Sequence, residues 1–194
     1  SEKSQELKNV IKKYTMGGYK AINEQADLFL SGIPKEKAFS KSGEMLFNAV
    51  NSANEKFSEL YRIEKVEGFK ISNNKIIDSP FKKGQELIWG LRSTSKNEKV
   101  IAKAAKGKDK NLPFVGGKNL NDSVIFRIKN GHGLDVTEIS PYDQDEVIVS
   151  GKFIIENTGV IEILNNRKVI IVDIKEIKKS VINKISITEA LEKL

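Results

Sequence analysis

Residues 45–66 read MLFNAVNSANEKFSELYRIEKV, and the period of the apolar positions changes inside this stretch. Met45, Leu46, Ala49, Val50, Ala53 and Phe57 recur at steps of three and four, the spacing of one helix face. From Leu60 to Val66 the run reads as a short strand instead. Everything upstream is helical in pattern. Leu7, Val10, Ile11 and Tyr14 fall at i, i+3, i+4 and i+7; Gly17-Gly18 interrupts; Tyr19, Ile22, Ala26, Phe29 and Leu30 resume the spacing as far as Gly32-Ile33-Pro34. Ser40 or Ser42 stands where an N-cap of the third helix belongs. Downstream, ELIWGL (86–91), VIFRI (124–128), EVIVS (146–150) and KFIIE (152–156) read as strands. VIEIL (160–164) and KVIIVDI (168–174) flank Asn165-Asn166-Arg167, a hairpin connection. A lysine-rich helix over 97–106 interrupts the strands, and a closing helix follows Ser186 or Thr188. Helices first and strands afterwards predict an α+β chain rather than a doubly wound one. We read one domain, residues 1–194, mainly helical over 1–58 and β-rich over 59–194.

Composition narrows the chemistry. A 39% hydrophobic content is enough for a core, and no apolar run approaches the roughly 18–20 residues of a membrane span. The start, SEKSQELKNV, is polar from its first residue and does not read as a secretory signal. The absence of cysteine excludes a thiolate zinc site and a cysteine nucleophile. A single histidine, His132, argues against a histidine metal site and a Ser-His-Asp triad; between Gly131 and Gly133 it reads as a loop residue. No Gly-x-Gly-x-x-Gly or P-loop follows a strand. The net charge of +7 is concentrated between Lys96 and Lys129, where nine basic residues face three acidic ones. Such a cluster suits a polyanion, a phosphorylated cofactor or plain solvent.

Three segments carry residues unusual for a purely structural chain. Arg62 sits inside an apolar strand, where a charge needs an anion or an outward-facing position. Ser93-Thr94-Ser95 ends the 86–91 strand; the run reads as a helix N-cap, or as hydroxyls that hold a ribose or orient a carboxylate. The acidic turn Ser140–Asp145 delivers Glu146 to the start of an apolar strand, and strand period two puts Gln144 and Glu146 on one face. A carboxylate beside an amide suits a reaction in which positive charge develops on a sugar, and an acidic surface loop would look the same.

Taken in order, Arg62, then Ser93-Thr94-Ser95, then Gln144-x-Glu146 resembles the mono-ADP-ribosyltransferases of the bacterial toxin type. Tyr14-Thr15-Met16-Gly17-Gly18-Tyr19-Lys20-Ala21-Ile22-Asn23 is similar to the helical segment of that family. The likeness runs from about residue 10 to residue 156. It implies N-terminal helices packed on a two-sheet mixed β core, with NAD as the substrate and no metal. By this resemblance Arg62 binds NAD phosphate, and Ser93 hydrogen-bonds Glu146 while Thr94 and Ser95 shape the nicotinamide pocket. Glu146 holds the nicotinamide ribose and stabilises its oxocarbenium-like transition state. Asn23 and Thr15 meet the adenosine side. In the loop 113–118, Phe114 stacks on the nicotinamide ring and Lys118 meets a phosphate.

The resemblance also implies an acceptor. Gln144, where arginine-modifying members carry glutamate, is similar to the Rho-modifying clostridial exoenzymes, and it points to Asn, Gln or Thr as the modified side chain. Tyr142 takes the place of the aromatic residue that recognises the acceptor. The implied partners are a target protein of a host or competitor cell and an immunity protein, with no membrane. The implied setting is a secreted or delivered toxin domain acting in the target-cell cytoplasm. Three departures stand out: Ala26-Asp27 replaces the usual Leu-Arg, Ile63 replaces a glycine, and the turn before Glu146 is one residue short. Asp27 would then set an anion beside the cofactor. The rival readings are a nucleic-acid acceptor suggested by the lysine cluster, an NAD glycohydrolase, and a non-catalytic interaction or phage structural module.

Overall fold

The structure, a computed structural model, describes residues 1–104, 113–114, 123–177 and 191–192. Helix α1 (Glu2–Lys13) starts where Ser1 Oγ accepts the Ser4 N–H, and its Leu7, Val10 and Ile11 are buried together with Tyr14. A π-helical turn, Tyr14–Gly18, follows, in which Gly17 takes φ 125°, a left-handed value glycine adopts without steric penalty. Helix α2 (Tyr19–Leu30) therefore leaves at a new angle. The short helix α3 (Lys35–Ala38), absent from the sequence reading, begins after Pro34. Helix α4 (Lys41–Ser52) is capped by Ser40, whose Oγ accepts from Gly43 N. Its end corrects one expectation: Ala53 is already extended (φ −65°, ψ 136°), so Phe57 belongs to strand β1 (Lys56–Glu64).

The strands after β1 are β2 (Lys70–Ser72), β3 (Lys75–Asp78), β4 (Glu86–Ser95), β5 (Val124–His132), β6 (Leu134–Asp135), β7 (Glu146–Ile155), β8 (Val160–Leu164) and β9 (Arg167–Glu176). Helix α5 (Glu98–Ala104) follows β4. Ser93-Thr94-Ser95 thus closes a strand and caps no helix; Asn97 does the capping, its Oδ1 accepting from Lys99 N. EVIVS and KFIIE form one strand, β7, because Gly151 (φ 148°) passes through the ladder without ending it. The 165–166 hairpin has both asparagines at positive φ, as a two-residue type I′ turn requires. Asn73-Asn74 makes the same turn between β2 and β3, a hairpin the sequence reading passed over. His132 is a strand residue, its Nδ1 2.8 Å from Glu176 Oε2. The closing helix expected after Ser186 or Thr188 lies outside the described residues except for Leu191 and Glu192, which are helical.

The α+β expectation holds. Seven strands run in the order β6-β7-β4-β1-β5-β9-β8, antiparallel except for β5 beside β9, and β7 also pairs with β9. One junction is weak. β1 pairs with β5 along its whole length but meets β4 only at Tyr61↔Ser95. The ribbon therefore parts into β6-β7-β4 and β1-β5-β9-β8, and this parting is the form the two-sheet core takes.

Helices α1, α2 and α4 bury Leu7, Ile11, Ile22, Ala26, Leu46 and Val50 against Leu91 of β4 and Ile148 of β7. Each of the leucine, isoleucine and valine side chains contributes roughly 1.5–3 kcal/mol on burial. Gly90 allows α2 to seat on β4: a Cβ there would lie 2.2 Å from the Ala26 carbonyl carbon and 2.4 Å from Asp27 N. A second core, including Leu60, Trp89, Phe126 and Phe153, fills the other side. Among the described residues no helix is long and apolar enough to cross a membrane.

Candidate active site

Where β1 and β4 part, side chains take over the backbone groups of β4. Arg62 Nη1 donates to the Ser93 carbonyl at 2.9 Å, Arg92 Nη1 donates to the Leu91 carbonyl at 2.7 Å, and Asp27 Oδ1 accepts from Gly90 N at 2.7 Å. The β4–β7 register sets Ser93 opposite Ile148 and Ser95 opposite Glu146, so Ser93, Ser95 and Glu146 share the face that meets the helices. Ser93 Oγ donates to Glu146 Oε2 at 2.9 Å. The other hydroxyls of the run hold backbone: Thr94 Oγ1 donates to the Val147 carbonyl and Ser95 Oγ to the Gln144 carbonyl.

The turn before Glu146 is fixed from the β4 side. Lys96 N donates to the Asp145 carbonyl and Asn97 Nδ2 to Asp145 Oδ2. Asp145 is held at φ 47°, a conformation asparagine and aspartate tolerate better than most residues. That value breaks strand alternation, which corrects the reason given for setting Gln144 and Glu146 on one face; β7 begins only at Glu146. Both residues nevertheless line one cavity of about 220 Å³ with Arg62, Ser93 and the α5 residues Val100 and Ile101. A shallower groove, lined by Lys99, Lys103, Asp143 and Gln144, adjoins it.

The electrostatics of the cavity are those of a desolvated carboxylate, with Arg62 on the same lining. Glu146 is 5% exposed; burial pushes its carboxyl above the ordinary range, and the Ser93 hydrogen bond partly offsets that. Arg62 is also matched by Glu64, Nε to Oε1 at 2.7 Å, and its guanidinium lies 5.9 Å from the Trp89 ring centre. Tyr14 lies beneath. Burial raises its hydroxyl to about 12, with Ser93 beside it and the charges of Glu146, Arg62 and Arg92 within reach. Its O–H donates to Asn23 Oδ1 at 2.7 Å.

The remaining candidates are dispersed. Thr15 Oγ1 donates to the Lys12 carbonyl, so this hydroxyl is occupied by its own helix. Tyr142 stands 47% exposed on the turn. Phe114 is 4% exposed, packed with Tyr61, Ile125 and Val169, and carries Arg167 over its ring at 5.8 Å. Ring stacking on a ligand is therefore not open to Phe114, because the core already covers it. Lys118 and the cluster lysines Lys106, Lys108 and Lys110 lie outside the described residues.

Asp27 is not the bare anion that the sequence suggested. Its carboxylate takes Arg92 at both oxygens, Oδ1 from Nη1 at 3.0 Å and Oδ2 from Nη2 at 2.7 Å. Sequence reasoning missed Arg92, although the argument applied to Arg62, a charge in an apolar strand that needs a partner, applied to it equally. Tyr14, read both as a core position and as the start of the Tyr14–Asn23 segment, is buried and hydrogen-bonded to Asn23.

No protein-family model matches the sequence, and no curated protein does. Solved structures do. Plx2a, an ADP-ribosyltransferase toxin from Paenibacillus larvae, is 20% identical with a TM-score of 0.56 over 89% of this chain and 86% of its own. The Clostridium limosum C3 exoenzyme is 17% identical with a TM-score of 0.52 over 89% and 85%. Exoenzyme S from Pseudomonas aeruginosa, solved with human 14-3-3 protein beta and carba-NAD, is 15% identical with a TM-score of 0.50 over 88% and 73%. The chain has the fold of these ADP-ribosyltransferases.

Proposed function

We propose that this chain is a mono-ADP-ribosyltransferase that cleaves NAD at the nicotinamide–ribose bond and transfers ADP-ribose to a protein side chain other than arginine. The observation that carries the reading is Glu146, buried and held by Ser93, on a cavity shared with Arg62. The residues suit the substrate: a guanidinium for a phosphate, a carboxylate for a developing cation, and a pocket with an apolar wall from α5 for a flat ring. Exoenzyme S, which has the same fold, was solved with carba-NAD.

Nicotinamide departs as a neutral molecule, taking the electron pair of the C–N bond, so no acid is needed to expel it. Glu146 supplies fixed negative charge where the ribose becomes positive, a contribution of about 2.7–4 kcal/mol for one well-placed group. Ser93 keeps that carboxylate in one orientation. Arg62 holds a phosphate and so fixes the ribose relative to Glu146. Gln144, on both the cavity and the adjoining groove, orients an acceptor that attacks the ribose carbon and loses its proton to solvent water. An amide at that position works as a hydrogen-bond donor and acceptor and not as a base, which suits the amide or hydroxyl of Asn, Gln or Thr. The exposed Tyr142 and the lysines of α5 flank the approach to a target protein, and we assign the chain to a delivered toxin or effector.

The test is nicotinamide release from NAD by wild type and by Glu146→Gln, followed by labelling of a cell lysate with tagged NAD. Release and labelling that vanish in the variant support the reading. Silence of the wild type in both assays refutes it, and release without any labelled protein reduces it to NAD hydrolysis.

A further inference from the structure

We infer that Arg92, aimed by Asp27, is a second phosphate-binding cation of this site, and the inference rests on the NAD reading above. The argument begins with hydrogen-bond edges. A guanidinium has two bidentate edges, each able to grip a carboxylate or phosphate. Asp27 occupies the Nη1/Nη2 edge of Arg92, and the Leu91 carbonyl takes the remaining Nη1 hydrogen. The Nε/Nη2 edge has no acceptor among the described residues, and the Arg92 side chain keeps 16% of its surface exposed.

Placement comes next. Arg92 directly precedes Ser93 on the part of β4 that β1 has left, and the helix that holds it through Asp27 also carries Asn23, which accepts from the Tyr14 hydroxyl. Asp27 stands one helical turn beyond Asn23 on α2, on the same face. Charge matching supplies the need. The pyrophosphate of a dinucleotide brings two negative charges, whereas Arg62 is already half-matched by Glu64. A guanidinium locked at one edge and free at the other is preorganised, so little side-chain entropy is lost on binding. The pair also explains how an aspartate is tolerated on this face: it positions a cation and does not stand there as a net anion.

Isothermal titration of wild type, Arg92→Gln and Arg92→Lys with ADP and with nicotinamide riboside tests the assignment, with thermal melting to check each fold. The expected result is a rise of roughly tenfold or more in the ADP dissociation constant for Arg92→Gln. Arg92→Lys, which keeps the charge and loses the fork, should show a smaller rise, and riboside binding should not change in either variant. Equal ADP affinity across the three proteins overturns the inference, and so does an equal loss of both ligands, which would make the pair purely structural. Should Arg92→Gln not fold, the ADP-against-riboside comparison in Arg92→Lys decides alone. Nicotinamide release by the wild type, measured in parallel, separates the two levels. Release with ADP affinity indifferent to Arg92 overturns this role only, whereas neither release nor ADP binding overturns the NAD reading as well.

Discussion

Glu146 is placed where an ionised carboxylate is poorly solvated, and that has a stability cost as well as a use. Its folded-state pKa is raised by burial, so the ionised form is less favourable in the folded chain than in the unfolded one. Below the unfolded value, about 4.3 for a glutamate, both states hold the proton and there is no cost. The cost grows as pH rises through the folded value. Glu146→Gln should therefore lower nicotinamide release by about 10²–10³-fold yet raise the urea midpoint near neutral pH, the gain fading in acid. A midpoint below wild type at neutral pH would mean that the carboxylate is structural. Ser93 acts on the same group in the opposite sense, since its hydrogen bond favours the charged form. Ser93→Ala should raise the Glu146 pKa further and move the acid limb of the pH–rate profile upward, with a lower plateau; an unmoved limb would contradict the bond.

The element that organises the site is β4. Trp89 faces one core, Leu91 the other, and the ladder with β7 shifts register between Trp89 and Arg92 around Gly90. Gly90→Ala forces α2 off the strand, since the new Cβ would meet backbone atoms at 2.2 and 2.4 Å. The expected loss is about 1–3 kcal/mol in chemical denaturation, together with weaker NAD binding because α2 carries Asn23 and Asp27. Equal stability would mean that the helix–strand contact is looser than these distances. Much of this layer was legible beforehand. The 3.6-residue spacing located α1, α2 and α4, and short apolar runs located β1, β4, β5, β7, β8 and β9 to within a few residues. Phe57 was misassigned because a helix end set by backbone dihedrals at Ala53 leaves no mark on apolar spacing. The serine run was ambiguous because the same hydroxyls cap helices and bond strands. Apart from the β8–β9 hairpin, which strands lie side by side was not legible, since pairing β5 with β9 or β7 with β9 depends on residues distant in sequence.

For the molecule as a whole, the ribbon is closed on one side and loose on the other. The closed side is tied by Arg127 of β5, whose Nε and Nη2 donate to both oxygens of Asp173 on β9, at 2.6 and 3.0 Å, with Asn157 also donating to that carboxylate. Arg127→Met leaves the partly exposed Asp173 and Glu162 carboxylates without their cation and should cost about 1.5–3 kcal/mol in chemical denaturation. Nicotinamide release per folded molecule should be retained, and its loss would mean that this ion pair reaches the cavity. On the loose side, β1 and β4 separate after a single register pair, and the sequence motifs, scattered from Tyr14 to Glu146, converge there. That parting also places the chain's one tryptophan, 5% exposed, against the guanidinium proposed to grip a phosphate. The protein consequently carries a built-in optical reporter. Emission from Trp89 should begin at the short wavelengths of an indole shielded from water, and its intensity should change as Arg62 turns toward an arriving anion. An unlabelled titration would then read occupancy directly, and Arg62→Lys would silence the signal.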